Sequence, residues 1–447
     1  MSAVNQDWIR PYGIIINGEL ERGLEIAVVY GVVREIRASS HEPEPFIISP
    51  GFVNAHSHLE YRGMLDQIPH PEYYEWIYEL SRLKPLESPE FVRKQCLIAA
   101  EENRKTGVAW IGEHSDRPGS AEAMVRHGLG GWIFQEVITS GSADVGATML
   151  GVVAKMELAR EILTSSPDTR ASDNQPPPVH TSPTPPSGRV TRLGLSLSPH
   201  AYFTVSHETL RMLGNQDAPI SIHVSETEHE TNFTKYGQGP LADRRRQFGV
   251  PFDVYGLSVV EVLNDLGVLR PGTQCVHCCD VDENDIALMA KGGVTIAHCP
   301  RSNVRLQCPI APVREFLDAG ITVGLGMDSP ASGGAIDMFA EMRSALFVSV
   351  ERGKPLTGEE VWRMATSEGY RSFGKPESAA WDIYQGSTTP LIFVETIGEA
   401  KSMEDVIASA QIWKAGKMRV NIVHLLHKGR GTNDAKWNPS HCVTVPE

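Results

Sequence analysis

Short apolar runs alternate with longer stretches of mixed polarity between residues 50 and 385. The intervening stretches, such as 89–106 and 282–291, have the composition of amphipathic helices. The alternation predicts an α/β fold, a (β/α)8 TIM barrel, and an open doubly wound sheet is the alternative for the same pattern. The predicted barrel strands are the apolar runs 51–55, 107–111, 131–135, 193–197, 218–222, 273–276, 293–297 and 321–325.

Both ends of the chain carry short strand-like runs separated by turn residues. The runs near the start are too few to make a stable domain alone. Apolar runs at 390–395 and 420–426 offer them partners. We therefore expect residues 1–49 together with 386–447 to form a small β-sandwich built from both termini, and residues 50–385 to form the barrel.

One stretch inside the barrel region fits neither pattern. Residues 164–189 are rich in Pro, Ser and Thr and hold too few apolar residues to bury a core. We expect a disordered Pro-rich insertion before the fourth strand, and a folded lid is the alternative.

Composition narrows the class of protein further. The 447 residues include 41 Lys+Arg and 55 Asp+Glu, a formal net charge of -14, which disfavours nucleic acid as the main partner. No apolar run is long enough for a transmembrane helix, so no membrane association is expected. The first ten residues lack the features of a signal peptide, and 7 Cys is an odd number for a disulfide framework. We expect a cytoplasmic, reduced protein.

A His-x-His pair, His56 and His58, ends the first predicted strand. Residues two apart on a strand face the same way, so both imidazoles would point into the barrel mouth, where they suit a zinc-like cation. After the fifth strand, His223 is a candidate third ligand and Glu226 a candidate proton shuttle. Chance or surface use is the alternative for the pair, and a structural core role is the alternative for His223.

Three further signals follow strands six, seven and eight. His277 is a candidate base, oxyanion stabiliser or core residue, and segment 298–303 is either part of a site or a turn. Asp328 is a candidate carboxylate ligand that orients a water, or the start of a turn. Strands one, five, six, seven and eight all end in such a residue, and barrel enzymes keep their sites at that end. The joint arrangement favours one shared site.

The order of these motifs resembles the amidohydrolase superfamily. The chain is most similar to its branch of S-adenosylhomocysteine/methylthioadenosine deaminases, aminodeoxyfutalosine deaminases and triazine chlorohydrolases. The motifs that carry the likeness are His-x-His at 56–58, His-x-x-Glu at 223–226, His277, His-Cys-Pro-x-Ser-Asn at 298–303 and Gly-x-Asp-Ser at 326–329. Segment 198–204, similar to the family's Pro-His-Ala-Pro-Tyr-Thr, Arg62-Gly63 and Trp76-Ile77 extend the likeness, which covers roughly residues 10–395.

The resemblance implies a role for most of the candidates. It implies one divalent metal ion, with zinc expected first and iron as the alternative, bound by His56, His58, His223 and Asp328. It also implies catalytic roles for Glu226 as the proton shuttle, for His277 as a polarising or proton-transferring partner, and for Asp328. The candidates for substrate binding are Glu60, Glu87, His200, Asn303 and Ser329.

Departures from the family pattern bear on metal number and on the substrate pocket. The end of the fourth strand has no Lys, whereas binuclear members commonly carry a carbamylated Lys there, so one metal is favoured. Tyr202 stands where the family pattern has proline, and Glu60 replaces a small or apolar residue of many adenosine deaminases. In having an acidic residue at position 60, the chain resembles the aminodeoxyfutalosine deaminase-like members.

The function implied by the resemblance is deamination of an adenine nucleoside-like substrate by water. A hydrolase of the same fold acting on a chloro-triazine, formimino or cyclic amide group is the main alternative, and a non-catalytic scaffold paralogue is a remote one. A cytidine-type deaminase is disfavoured because His58-Leu-Glu60 and Cys275-Val-His-Cys278 lie far apart in the chain. A small-molecule substrate is the expected partner, and a homo-oligomer is suggested by family analogy alone.

Overall fold

The computed structural model describes residues 8–69, 71–142, 144–165, 193–374, 381–395, 400–412 and 421–422. Strands in the first fifty residues precede a long region in which strands and helices alternate. The first strands are β1 (Trp8–Ile9), β2 (Pro11–Ile16), β3 (Glu19–Glu21), β4 (Leu24–Val29), β5 (Val32–Ala38) and β6 (Glu44–Pro50). The strands that alternate with helices are β7 (Phe52–Ser57), β8 (Val108–Ser115), β9 (Gly130–Val137), β10 (Leu193–Pro199), β11 (Ile220–Val224), β12 (Thr273–His277), β13 (Thr295–His298) and β14 (Val323–Leu325). The last described strands are β15 (Leu391–Glu395) and β16 (Asn421–Ile422).

The strands of the alternating region form two parallel sheets. One is 4-stranded in the order β10-β9-β8-β7, and the other is 4-stranded in the order β11-β12-β13-β14. Isolated parallel bridges join Ser57 to Asp328 and Ala201 to His223, so each edge of one sheet lies beside an edge of the other. The predicted α/β composition with parallel strands is confirmed, and each predicted run overlaps one of these strands.

Helices follow most of these strands. Those of the first half are α1 (Tyr73–Leu83), α2 (Pro89–Lys105), α3 (Ser120–Arg126), α4 (Val145–Ser165), α5 (His207–Gly214), α6 (Glu228–Tyr236), α7 (Pro240–Gln247) and α8 (Val259–Asp265). Those of the second half are α9 (Glu283–Gly292), α10 (Pro300–Arg305), α11 (Val313–Asp318), α12 (Pro330–Gly333), α13 (Met338–Glu351), α14 (Gly358–Met364), α15 (Ser367–Arg371) and α16 (Met403–Ile412). Short 3-10 helices span Leu59–Met64, Lys84–Leu86 and Tyr202–Thr204.

Local sequence explains where the two predicted helices begin and end. Ser88 caps α2 by accepting the backbone N–H of Phe91, and a proline occupies the first turn, where its missing N–H costs nothing. Asp282 caps α9 in a capping box with Asp285, and Gly293 ends the helix at a φ of 65°. Both helices therefore begin one residue after a side-chain cap.

Strands from both ends of the chain share one sheet. Its order is β16-β15-β6-β2-β3, and β15 pairs with β6 antiparallel. A second, 3-stranded sheet has the order β1-β4-β5. A buried apolar cluster contains Ile14, Ile26 and Ile48, so it draws on strands of both sheets, and it also includes Leu391. The hairpin between β2 and β3 turns at Asn17 and Gly18, which both have positive φ, as a type I′ turn requires.

A large apolar core surrounds the parallel sheets, and a smaller cluster lies on the opposite faces of some of the same strands. The smaller cluster contains Val53, Ala55, Phe134, Val276 and Ala297. Neighbouring residues such as Phe52 and Ile296 belong to the large core instead. This alternation gives each strand two buried faces, as in α/β folds whose sheets are covered by helices.

The predicted Pro-rich insertion at 164–189 is described only at its start. Helix α4 continues through Ser165, and residues 166–189 lie outside the described residues. Within the described part of the chain, the longest helices are too short or too polar to cross a bilayer.

Candidate metal and catalytic site

His56 and His58 lie at the end of β7 and are both buried. Their ring centroids are 4.9 Å apart. Neither ring nitrogen of His56 has a hydrogen-bond partner among the described residues, and Nδ1 of His58 has none either. Burial lowers the pKa of His58 to about 3 and that of His56 well below its ordinary value, so both imidazoles are neutral. Buried, neutral and unpartnered imidazoles are suited to binding a cation.

His223, at the end of β11, completes a set of three histidines. Its ring centroid is 4.9 Å from that of His56 and 5.6 Å from that of His58. Its Nδ1 lies 2.7 Å from the backbone oxygen of His200. A carbonyl only accepts, so Nδ1 must carry the proton, which leaves a lone pair on Nε2.

Asp328 follows β14 and presents one carboxylate oxygen to the histidines. Oδ1 lies 3.5 Å from Nε2 of His56 and 3.8 Å from Nε2 of His58. Oδ2 is held by the hydroxyls of Ser302 at 2.6 Å and Ser332 at 2.8 Å. Burial raises the pKa of Asp328, but the close approach of the imidazoles of His56, His277 and His58 outweighs it and holds this pKa well below its usual range.

Glu226 and His277 form a second group with Asp328, in which possible ligand atoms lie within 4.8 Å of one another. Oε1 of Glu226 is 3.6 Å from Nε2 of His277. Nδ1 of His277 accepts a hydrogen bond from the amide nitrogen of Asn303 at 3.0 Å, so Nε2 carries the proton and faces the carboxylate. Burial, followed by the charges of Asp328 and Glu230, raises the pKa of Glu226 well above its ordinary value. A carboxyl group with a raised pKa can carry a proton at neutral pH.

The loops after the strands aim these side chains through unusual backbone conformations. Ser225, His277 and Asp328 all have positive φ, at 46°, 72° and 52°. Such non-glycine residues cost energy, and they persist where surrounding contacts hold them in place. Glu230 supplies such contacts, because its carboxylate accepts the backbone N–H groups of Ser225 and Glu226 at 3.2 and 2.8 Å.

The sequence-predicted residues of strands one, five, six and eight therefore come together. Among the described residues, three groups of side chains each bring potential metal-ligating atoms within 4.8 Å of one another. The groups are His56, His58, His114 and His223; Glu136, His200 and His223; and Glu226, His277 and Asp328.

Two buried members of these groups, His114 and Glu136, were not predicted from the sequence. They lie near the C-terminal ends of β8 and β9. The predicted strands stopped at residues 111 and 135, where Gly112 follows the first apolar run and Glu136 follows the second. The available signal was their position: both residues follow an apolar run at the end where barrel enzymes keep their sites.

For segment 298–303 the sequence left open a part in the site or a turn, and the Ser302 hydroxyl does contact the site by donating to Oδ2 of Asp328. His298, in the same motif, is buried, and neither of its ring nitrogens has a hydrogen-bond partner among the described residues. Burial lowers the pKa of His298 to about 3.

The predicted substrate-binding residues fall into two sets. His200, Asn303 and Ser329 are in or beside the site: His200 belongs to a ligand group, Asn303 bonds His277, and Ser329 bonds Ser332. Glu60 and Glu87 contact the segment after β8 instead. Oε2 of Glu60 accepts the backbone N–H groups of residues 116 and 117, and Oε2 of Glu87 pairs with the Arg117 side chain at 2.7 Å. Burial raises the pKa of Glu60 to about 7.

Curated relatives of this chain are deaminases of nucleosides. A 5-methylthioadenosine/S-adenosylhomocysteine deaminase of Natronomonas pharaonis is 28% identical over 347 residues, which are 74% of this chain and 70% of that protein. A 5′-deoxyadenosine deaminase of Methanothrix thermoacetophila is 28% identical over 389 residues, which are 82% of this chain and 80% of that protein.

Solved structures share the fold at lower sequence identity. An adenosine deaminase of Xanthomonas campestris with bound zinc has a TM-score of 0.69 at 20% identity, covering 90% of this chain and 88% of that one. An aminofutalosine deaminase of Helicobacter pylori has a TM-score of 0.70 at 16% identity, covering 93% and 97%. The model of the Amidohydrolase family matches residues 47–379, which is most of the chain and includes every residue of the site. The chain belongs to the amidohydrolase family.

Proposed function

We propose that the protein is a metal-dependent deaminase that replaces the exocyclic amine of an adenine nucleoside-like substrate with water and releases ammonia. The observation that carries the proposal is the placement of Glu226, a buried carboxyl with a raised pKa, 3.6 Å from His277 and in one group with Asp328. Hydrolytic deamination needs a group that transfers protons and a metal ion that activates water, and this site places a proton-carrying side chain beside a set of metal ligands. The deaminase names of the relatives support the same reaction.

His56, His58, His223 and Asp328 would hold one catalytic divalent metal ion. The unpartnered ring nitrogens of His56, the free Nε2 of His223 and the free Oδ1 of Asp328 form a donor set of imidazole and carboxylate that fits such an ion. Zinc is the expected ion and iron is the alternative; the zinc-bound fold neighbour supports zinc. When bound, the metal supplies a Lewis acid that lowers the pKa of water.

The side chains of the site divide the proton transfers. Asp328 remains ionised and presents Oδ1, so it can accept a proton from the attacking water. Glu226 carries a proton in its neutral form and can donate it to a ring nitrogen of the substrate. The proton that Asp328 takes from water can pass to the amine, which leaves as ammonia, and the proton of the added hydroxyl returns to Glu226 as the ring carbonyl forms. The Nε2–H of His277 can donate a hydrogen bond to the oxygen that adds to the ring.

The substrate would lie over this group, in contact with His200, Asn303 and Ser329. We also propose that Glu60 and Glu87 contribute to the pocket through the Arg117 segment. The relatives' names support a 5′-modified adenosine: S-adenosylhomocysteine, 5′-methylthioadenosine or 5′-deoxyadenosine. Aminodeoxyfutalosine is a fourth candidate, since the acidic residue at position 60 resembles that subgroup.

We also propose a closed barrel, a sandwich built from both chain ends and a cytoplasmic location. The two parallel sheets would close into one eight-stranded barrel at the Ser57–Asp328 and Ala201–His223 bridges. Residues 1–49 and 386–447 would form a β-sandwich around the cluster that contains Ile14 and Ile26. The described cysteines are unpaired, which supports a reduced, cytoplasmic setting.

Ammonia release from a panel of nucleosides tests the proposal. Metal-loaded protein would be given adenosine, 5′-methylthioadenosine, 5′-deoxyadenosine, S-adenosylhomocysteine, aminodeoxyfutalosine, guanine, cytosine and a chloro-triazine. We expect ammonia from one or more of the adenine nucleosides and none from guanine or cytosine. Chloride release from the triazine, or silence across the panel with metal bound, would overturn the deaminase proposal and direct the search to formimino and cyclic amide substrates.

A further inference from the structure

The two loops that carry Glu226 and His277 are hydrogen-bonded to each other. The backbone oxygen of Ser225 accepts the N–H groups of Cys279 and Asp280, both at 2.9 Å. Ser225 directly precedes Glu226 on the loop after β11, and Cys279 follows shortly after His277 on the loop after β12. The separation of 3.6 Å between Oε1 of Glu226 and Nε2 of His277 therefore depends on how these two loops are held.

Glu230, in the first turn of α6, holds the loop after β11 through both of its carboxylate oxygens. Oε2 accepts the backbone N–H of Ser225 at 3.2 Å, and Oε1 accepts that of Glu226 at 2.8 Å. Glu230 is 1% exposed, so water competes little for these bonds. Burial raises the pKa of Glu230 to about 7, and the backbone donors oppose that rise because they favour the ionised form.

Thr231, the next residue of α6, holds the loop after β12. Its hydroxyl donates to Oδ2 of Asp280 at 2.6 Å. Asp280 is therefore bound twice, by Ser225 through its backbone N–H and by Thr231 through its carboxylate. Because Glu230 and Thr231 are neighbours in the chain, the contacts close into a ring that joins both loops to the start of α6.

This ring supports a backbone conformation that its residues do not adopt readily. Ser225, His277 and Cys278 have φ values of 46°, 72° and 52°. Such residues, which are not glycine, cost energy at positive φ and persist where surrounding contacts hold them. If the ring were broken, the loops could relax towards negative φ, and the side chains of Glu226 and His277 would turn away from each other.

We propose that Glu230 is a positioning residue for the reaction, with Thr231 as its counterpart on the loop after β12. The inference rests on the proposed function, because it assigns to Glu230 the placement of the proton shuttle Glu226 relative to His277. Displacing a catalytic group by about 1 Å can cost on the order of 100-fold in rate. Glu230 acts through the backbone of Glu226, so its loss should slow the chemical step and leave substrate binding and metal content nearly unchanged.

Steady-state kinetics of the metal-loaded protein separates positioning from a general loosening of the fold. Glu230→Gln keeps the size of the side chain and replaces one accepting oxygen with an NH2 group that faces a backbone N–H. We expect kcat for the best adenine nucleoside to fall at least ~10-fold, with KM changed less than about 3-fold and metal content per chain unaltered. Thr231→Val should lower kcat less, because it breaks a single bond. Glu228→Gln, exposed on the same helix, is the matched control and should keep full activity.

A double-variant cycle shows whether Glu230 acts through Glu226. In the Glu226→Gln background there is no proton shuttle left to place, so adding Glu230→Gln should lower the residual kcat by less than about 2-fold. An unchanged kcat in Glu230→Gln alone, or an equal loss in both backgrounds, would overturn the proposal.

Hydrogen exchange tests the same contacts without substrate. The amides of Ser225 and Glu226 should exchange at least ~10-fold faster in Glu230→Gln than in Glu228→Gln, as followed by mass spectrometry of segment 223–232. Equal exchange in both variants would overturn the proposal whichever nucleoside is the substrate. Faster exchange in a protein that releases no ammonia would refute the proposed function and keep Glu230 as the residue that holds this loop.

Discussion

Asp328 presents one carboxylate oxygen to the histidines because two hydroxyls hold the other. Two histidines of the site are held in the same way, through one ring nitrogen each. His223 donates a hydrogen bond to a backbone oxygen, and His277 accepts one from Asn303. The other oxygen of Asp328 lies near His56 and His58, and the other nitrogen of His277 lies near Glu226. Secondary contacts of this kind fix tautomers and orient ligands.

Glu341, on α13, is a buried carboxyl outside the ligand groups and should make stability depend on pH. Its Oε1 accepts the backbone N–H of Arg301, and burial raises its pKa to about 8. A raised pKa means that the folded protein holds a proton that the unfolded chain has lost above about pH 4.5. The stability contributed by this group is therefore full below that pH and is lost as the pH rises towards 8.

Glu341→Gln should remove this pH dependence. Between pH 6 and 7.5 the free energy of unfolding of the unaltered protein should fall by about 1.4 kcal/mol per pH unit relative to the variant. Denaturant unfolding at both pH values measures the difference, and Glu122→Gln serves as the control. Parallel pH profiles for Glu341→Gln and the unaltered protein would show that this carboxyl is already ionised at pH 6.

At the residue scale, the sequence identified those residues whose motifs have a recognisable spacing. His56, His58, His223 and Asp328 stand at positions that a strand end and a short motif define. His114 and Glu136 belong to no such motif, and only the fold brings them to the histidines. The hydroxyl of Ser302 could not be assigned either, because its partner Asp328 is 26 residues away in the chain.

Two short helices act as supports for the site at the scale of secondary structure. Helix α10 carries Ser302 and helix α12 carries Ser332, and each hydroxyl bonds the same oxygen of Asp328. Ser329 caps α12 and also bonds Ser332. The orientation of the carboxylate therefore depends on the placement of both helices.

Removing these hydroxyls should weaken metal binding without unfolding the protein. We expect Ser302→Ala or Ser332→Ala to reduce zinc affinity about 10-fold and the double variant to reduce it further, because outer contacts of metal ligands are typically worth 10- to 100-fold. Competition with a chromogenic chelator measures the affinity. Ser349→Ala, on α13, is the control and should bind zinc normally. Unchanged affinity in the double variant would mean that Asp328 needs neither helix.

Strand positions followed from the apolar pattern, whereas strand ends did not. Strand β8 extends to Ser115 and β9 to Val137, beyond the apolar runs that predicted them. The residues at these strand ends are polar and are buried among the side chains of the site, so the apolar pattern does not indicate that the strands continue this far. The positive φ values of Ser225 and His277 were equally invisible, since neither residue is glycine.

At the scale of the whole molecule, α14 ties the sheet that contains both ends of the chain to the parallel sheets. The buried indole of Trp362 donates to the hydroxyl of Ser49 on β6 at 3.1 Å. Its ring lies 5.3 Å from that of Phe52 on β7 and 6.0 Å from that of Phe339 on α13. One side chain therefore connects three parts of the fold.

Trp362→Ala should destabilise the whole protein. Loss of a fully buried tryptophan typically costs about 3–5 kcal/mol. Trp362→Phe should cost less, because it keeps one aromatic ring and leaves a smaller cavity, although it also loses the hydrogen bond to Ser49. Unfolding in urea, followed by circular dichroism, ranks the variants. Equal stability of the alanine and phenylalanine variants would contradict the packing role of this ring.

The pairing of the chain ends was predictable only in outline. Apolar runs near both termini indicated strands in need of partners, and β15 does pair with β6. The register of that pair depends on cross-strand contacts that no local pattern encodes. The predicted pairing of 420–426 is described only for Asn421–Ile422, and the rest of that run lies outside the described residues.

The most direct test of the proposed reaction is the effect of Glu226→Gln on ammonia release. The variant keeps the size of the side chain and removes its proton transfer, so we expect turnover of the best adenine nucleoside to fall at least ~100-fold while the metal content per chain is unchanged. Glu122→Gln should retain full activity. Ammonia release by Glu226→Gln at the rate of the unaltered protein, with metal bound in both, would contradict the assignment of Glu226 as the proton shuttle.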